Sequence, residues 1–185
     1  MYTLRRYAAT ATHNRDNMNT TFNVNNSGLV LLQSYIPLLF SRLHLTEDDR
    51  FVSADAQQRA VHYLQFLATG HSQTADHYLV LNKILCGFKP QDTVGTGITM
   101  PTADTELCEG LLHAAISHWT AIGASSLDGM RGNWLVRDGL LIENGEWQLA
   151  VEKRAYDILI NKSPFSFSVI KFPWMNKALR VSWPT

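Results

Sequence analysis

The stretch Pro164-Phe165-Ser166-Phe167-Ser168-Val169-Ile170-Lys171-Phe172-Pro173 constrains the fold more than any other part of the chain. Phe165, Phe167, Val169 and Lys171 share one parity; Ser166, Ser168, Ile170 and Phe172 share the other. A period of two in aromatic and β-branched residues predicts a strand with one strongly apolar face. Pro173 has no N–H for a ladder, so the strand is expected to end there. Trp174 and Met175 follow at once, and Val181-Ser182-Trp183 comes shortly after. Large apolar residues just past a strand end either cap the core or dock a partner.

Upstream, apolar residues recur at helical spacing. In Gly28 to Leu45 they are Leu29, Leu32, Ile36, Leu39, Phe40 and Leu43, with Pro37 placed to kink or split the helix. Ser53 is a good N-cap for a helix carrying Ala56, Ala60, Tyr63, Leu64 and Leu67, and Gly70 is its expected stop. A second helix should start near Thr74 or Asp76 and end at Gly87, forming a helical hairpin with the first. After a Gly- and Pro-containing loop, Thr102 is expected to cap a helix with Leu107, Leu111, Leu112, Ala115 and Trp119. A short helix from Ser125 or Ser126 follows, through Met130 and Trp134. Asn144-Gly145 between two apolar segments predicts a tight β-hairpin, because both residues tolerate positive φ. Tyr156 to Ile160 is too short to assign as strand or helix.

Residues 1–27 read as a flexible polar leader, because His13 to Ser27 is dense in Asn, Thr and Asp. A single assembly domain is then expected over residues 28–185, a length that suits one core. Helices first and strands last predict an α+β fold: a mainly helical N-terminal two-thirds followed by a small antiparallel sheet.

Charge narrows the function classes. Sixteen basic residues balance sixteen acidic ones without a basic stripe, which argues against nucleic acid and against an anionic membrane surface. Apolar runs fall short of the ~20 residues a membrane span needs, and no secretory signal opens the chain. Cys86 and Cys108 sit in apolar helical patterns and are expected as reduced, buried small hydrophobes, as in a reducing cytoplasm.

Candidate chemistry is thin. His113 and His118 lie five apart, and His62, His71 and His77 have no paired ligand spacing, so no metal site is expected. Gly123-Ala124-Ser125-Ser126 lacks the second glycine of a nucleophile elbow, and Gly95-Thr96-Gly97 lacks the rest of a phosphate cradle. Glu47, Asp48 and Asp49 read as a solvated turn. The expectation is a protein without cofactor or catalytic residues. Trp174, Met175 and Trp183 keep two readings open, core or docking patch, since aromatic residues and Met are enriched at interface cores.

Five segments taken in order resemble a known family. They are Asn26 to Leu32, Arg59 to Leu67, Leu79 to Gly87, Tyr156 to Leu159, and Val169 to Met175. Together they resemble the C-terminal region of the tape measure proteins of bacterial contractile injection systems, the phage-tail-like particles. The resemblance implies a non-catalytic part of a particle assembled in the bacterial cytoplasm, in contact with tube or baseplate proteins. Family members are usually much longer. A fully helical chain of this length would reach only ~280 Å at ~1.5 Å per residue, so this chain alone is a poor ruler. It fits better as the end domain of a tape measure, as a fragment of one, or as a short relative that keeps only the docking part, with tube or baseplate components or further copies of itself as partners and Phe172, Trp174, Met175 and Trp183 as the expected contacts. An adaptor or chaperone holding a cargo segment between helices is the alternative.

Overall fold

The computed structural model describes residues 19–185. Its centre is helix α2, Ala54–Thr69, in which every residue from Ala60 to Ala68 is buried. A helix buried on all sides must have neighbours all round it. α2 packs against α3 (Val80–Leu85), α4 (Thr102–His118) and the buried 3-10 segment Ser27–Leu32. Its ends are those the sequence predicts. The Ser53 hydroxyl accepts from the Ala56 N–H at 3.0 Å, and Gly70 takes a left-handed φ of 77°. Arg131, from a π-helical turn at Arg131–Leu135 that continues the short helix α5 (Leu127–Met130), donates to the buried carbonyls of Phe66 and Leu67 in the last turn of α2. A cation at a helix C-terminus satisfies carbonyls that have no partner within the helix.

Pro37 does split the helix expected after Gly28. The chain runs as the 3-10 segment and then as α1, Ile36–Arg42, with Pro37 in its first turn, where the missing N–H costs nothing. Gly28 is required by close packing: a Cβ there would sit 1.7 Å from the Trp134 carbonyl oxygen. Thr102 is the first residue of α4 and makes no cap; Pro101 stands at the N-cap.

The sheet differs from the expected one. It has five strands in the order β1-β4-β5-β7-β6. These are β1 (Thr20–Val24), β4 (Gly139–Asn144), β5 (Glu146–Val151), β6 (Val169–Ile170) and β7 (Leu179–Ser182). β2 (Thr46–Glu47) and β3 (Arg50–Phe51) make a separate small hairpin that turns on Asp48 and Asp49, both at positive φ. The β4–β5 hairpin forms at Asn144-Gly145, in register with Leu141 opposite Leu149. Along β5, Trp147, Leu149 and Val151 face inward while Gln148 and Ala150 face out.

The expected mainly helical two-thirds with an antiparallel sheet is therefore corrected. Among the described residues, the α-helices other than α2 and α4 span only 4 to 7 residues. β5 and β7 pair in parallel, which makes the sheet mixed. Its first strand, β1, precedes every described helix and falls within residues 1–27, expected as a polar leader; residues 1–18 of that stretch lie outside the described residues. β1 escapes a sequence reading because Thr20-Thr21-Phe22-Asn23-Val24 is a half-polar edge strand. The parallel pair escapes it because no local turn joins β5 to β7.

The predicted strand at Phe165 to Phe172 shortens to β6. Phe165 and Phe167 turn inward, yet so do Ile170 and Phe172, so the inward parity switches near Ser168. Side-chain partners explain the switch. The Phe165 ring packs edge-on against Trp119 at 5.7 Å, and Phe167 lies 5.6 Å from Trp183. The Ser168 carbonyl accepts from the Val181 N–H, and the ladder begins beyond it.

Candidate docking surface

The four residues expected to dock a partner fall into two groups, and both pack inward. Phe172 and Met175 are 5% and 4% exposed, and Trp174 is half-buried. The Phe172 N–H donates to the Met175 sulfur at 3.3 Å, closing the turn around Pro173. Trp174 donates its indole N–H to the Leu85 carbonyl at 2.8 Å, at the end of α3. Its ring stands 5.2 Å from both Phe51 and Phe172 and 5.6 Å from Phe40. Gly87, at φ 84°, lets the Trp174 carbonyl come close. Of the four, Trp174 alone retains substantial surface, beside the β2–β3 hairpin.

Trp183 belongs elsewhere, with a buried ion pair. Arg137 and Asp157 have fully buried side chains, and one guanidinium nitrogen, Arg137 Nη1, lies 2.8 and 2.7 Å from the two carboxylate oxygens of Asp157. The guanidinium also donates to the carbonyls of Asn133 and Glu152. It lies 5.0 Å from the Trp183 ring, 5.6 Å from Tyr156 and 5.7 Å from Trp134. Asp157 accepts further bonds from the Arg154 N–H and the Trp183 indole. Burial pushes the Asp157 carboxyl up, but the bonds from Arg137, Arg154 and Trp183 and the Arg137 charge outweigh it and hold the carboxyl below its ordinary value. The cage joins the turn before β4, the 3-10 segment Asp157–Lys162 and the residue after β7.

Two other polar clusters sit inside. Asn26 donates to Gln65 and Asn82, and Asn82 donates to Gln65 and to the Val61 carbonyl, which ties the 3-10 segment to α2 and α3. Lys83, almost fully buried, reaches Asp76 at 2.5 Å and the Pro90 carbonyl at 3.3 Å. Asp76 accepts from the Val94 N–H, and a His62 ring nitrogen lies 2.9 Å from the Val94 carbonyl. These bonds pin the loop after α3. Burial raises the Asp76 carboxyl, but Lys83 and the Val94 N–H bring it below its ordinary value.

The two cysteines are free and buried. Burial, with Asp104 nearby, pushes the Cys108 thiol up to about 12, and burial raises Cys86 well above its ordinary value. A thiol held protonated is a poor nucleophile. Among the described residues, no three His, Cys, Asp or Glu side chains are grouped to hold a metal ion.

What the surface does offer is an apolar foot under an acidic tip. Phe51 is half-buried against Trp174, and Val52 beside it is 53% exposed. Above them the hairpin turn carries Glu47, Asp48, Asp49 and Arg50, all exposed. Backbone tightly turned at two positive-φ residues, with its strand end anchored on an aromatic cluster, holds this projection in place.

Comparison with known families decides what kind of protein carries this surface. The model of the contractile injection system tape measure proteins matches residues 5–183. The chain belongs to this family. No curated protein and no solved structure matches it. As a family member it is a tape measure-type structural protein, a component of the injection particle. No helix among the described residues is long and apolar enough to cross a membrane.

The sequence singles out Trp174 and Trp183, both of which the fold packs inward, but does not mark Arg137, Asp157 or Lys83. A charged residue carries no periodic signal of burial, and partners 20 residues apart are linked only by the fold. The β2–β3 hairpin was read as a solvated turn; its tip is exposed, and Phe51 at its foot carried no signal of contact with Trp174.

Proposed function

We propose that the chain is a docking domain of the tape measure assembly, contacting tube or baseplate proteins, and not the part that measures length. The observation behind this reading is the size of the elements in a chain that matches the family over residues 5–183. The longest helix among the described residues, α4, has 17 residues, about 25 Å at ~1.5 Å rise. Short helices around a mixed sheet make a block, and a block suits an end contact better than a ruler.

The proposed contact is the surface of Trp174, of Phe51 packed against it and of the neighbouring exposed Val52, beside the acidic hairpin tip. Phe172 and Met175 act from behind, by holding the turn that presents Trp174. Trp183 contributes through the Arg137 cage, which fixes the strand next to that turn. Apolar anchors ringed by polar residues are the pattern of interface hot spots.

Particles from a strain encoding Val52→Glu at this site provide the test. Val52 is exposed, so the variant should fold as the parent does. The reading expects the variant chain to be depleted from purified particles, measured by quantitative mass spectrometry, with its near-UV circular dichroism unchanged. Parental incorporation of a folded Val52→Glu chain would remove this surface from the account.

A further inference from the structure

The five-stranded sheet ends in β1 on one side and β6 on the other. The two edges meet their surroundings differently. β6 has two residues, with Lys171 and Pro173 just beyond them. A short strand, a lysine and a proline are the usual guards of an edge. β1 is the five-residue run Thr20-Thr21-Phe22-Asn23-Val24, without charge or proline, and Thr, Phe and Val favour strands. Among the described residues β1 pairs with β4 alone. An unguarded edge of this kind is a template for a further strand.

The ladders fix which groups of β1 point outward. The Glu152 N–H donates to the Asp138 carbonyl, so alternate residues of β4 from there on, Leu140, Ile142 and Asn144, exchange their bonds with β5. Gly139, Leu141 and Glu143 then bond Val24, Phe22 and Thr20 across the other ladder. The N–H and C=O of Thr21 and Asn23 therefore point away from β4, to the edge. This pattern is its own complement. With a second copy of β1 laid antiparallel about a two-fold axis at Phe22, Thr21 faces Asn23 of the second copy, and Asn23 faces Thr21 of the second copy. Each pair exchanges both of its N–H···O bonds. Phe22 then lies opposite its own copy in a non-hydrogen-bonded pair, where side chains come closest. Its ring is half-buried, 6.4 Å from Trp147 on the inner face of the sheet, and aromatic pairs across strands are stabilising.

Charge does not oppose the contact. β4 carries one charged residue, Glu143, which Lys177 neutralises at 2.6 Å. α3, which packs against β1, carries one, the buried Lys83, which pairs with Asp76. We infer that β1 pairs with β1 of a second copy of this chain, joining two sheets edge to edge across a two-fold axis. Such a contact is isologous and closes on itself. β6, which leads into the Trp174 turn, stands at the other end of the strand order, so the self-contact and the docking surface use opposite edges of the sheet.

The test is light scattering after size exclusion on the full chain over a range of concentrations, with amide hydrogen exchange read residue by residue. The mass should rise from one chain to two, and the Thr21 and Asn23 amides should slow in exchange as it does. Two pairs of substitutions check the register. Thr21→Lys with Asn23→Lys sets like charges opposite each other in both pairs and should weaken the dimer about tenfold or more. Thr21→Glu with Asn23→Lys sets opposite charges there and should restore it. Neither position is buried and neither amide bonds β4, so near-UV circular dichroism should stay parental in both variants. A monomer at every concentration overturns the inference. So does a dimer whose Thr21 and Asn23 amides exchange freely, or one that the two charge patterns affect alike. Amides already slow in the monomer would show the edge filled within one chain, and overturn it too. No particle protein enters these measurements, so their failure leaves the docking reading to be judged on its own.

Discussion

At the scale of single residues, the Arg137–Asp157 pair is the most exposed to disruption because it is the least exposed to water. Asp157→Asn keeps the shape and removes the charge, leaving a buried guanidinium unpaired. Breaking such a pair costs roughly 3–5 kcal/mol, so urea unfolding of Asp157→Asn should show a loss of that size. The pH dependence has a definite sign. The folded carboxyl of Asp157 lies below its ordinary value of 3.8. Its contribution is therefore complete above that ordinary value and disappears as the pH falls through the lower folded value. Stability of the parent should drop with acid below pH ~4, and Asp157→Asn should flatten that drop. Asp76 is also lowered, but its side chain is 37% exposed, so solvent screens its share and the residual slope should be small.

At the scale of elements, legibility tracked locality. α2 could be read from end to end, since an apolar period, a Ser cap and a Gly stop are all local signals. The β4–β5 hairpin was legible for the same reason, in Asn144-Gly145. β1 was not, because its polar residues look like loop until β4 supplies the partner for Phe22. The aromatic stretch at Phe165 was misread as one strand because its rings choose separate partners, Trp119 and Trp183, rather than one sheet face. Of the surface proposed for docking, the sequence marks Trp174 only; Phe51 and Val52, at the foot of the β2–β3 hairpin, carry no signal in it. A pair of substitutions separates local from tertiary control. Ser53→Ala removes one cap and should cost about 1 kcal/mol. Gly28→Ala drives a Cβ into the Trp134 carbonyl and to 2.7 Å from the Leu135 Cα. Both obstacles are backbone, so overpacking of at least ~1–3 kcal/mol is expected. Thermal melts should rank Gly28→Ala well below Ser53→Ala; equal melting points would mean that the 3-10 segment and the π-turn are not in contact.

At the scale of the whole molecule, β7 is the piece that closes the fold. It lies between β5 and β6 in the sheet order, and the residue after it, Trp183, completes the Arg137 cage. Removal of Leu179–Thr185 should therefore destroy the cooperative melt of the entire chain and not just loosen one end. A truncated chain that still melts in one sharp transition, near the parental temperature, would show that the sheet closes without β7. The block that β7 completes is what the docking reading needs, since a rigid end contact requires a rigid body behind it.

The account stands or falls on whether this block binds its particle. The most direct measurement is its mass in solution by light scattering after size exclusion, alone and mixed with each tube and baseplate protein of the same system. The account predicts a stable complex with at least one of them, and loss of that complex in the folded Val52→Glu variant. A chain whose mass is unchanged by every component would contradict it.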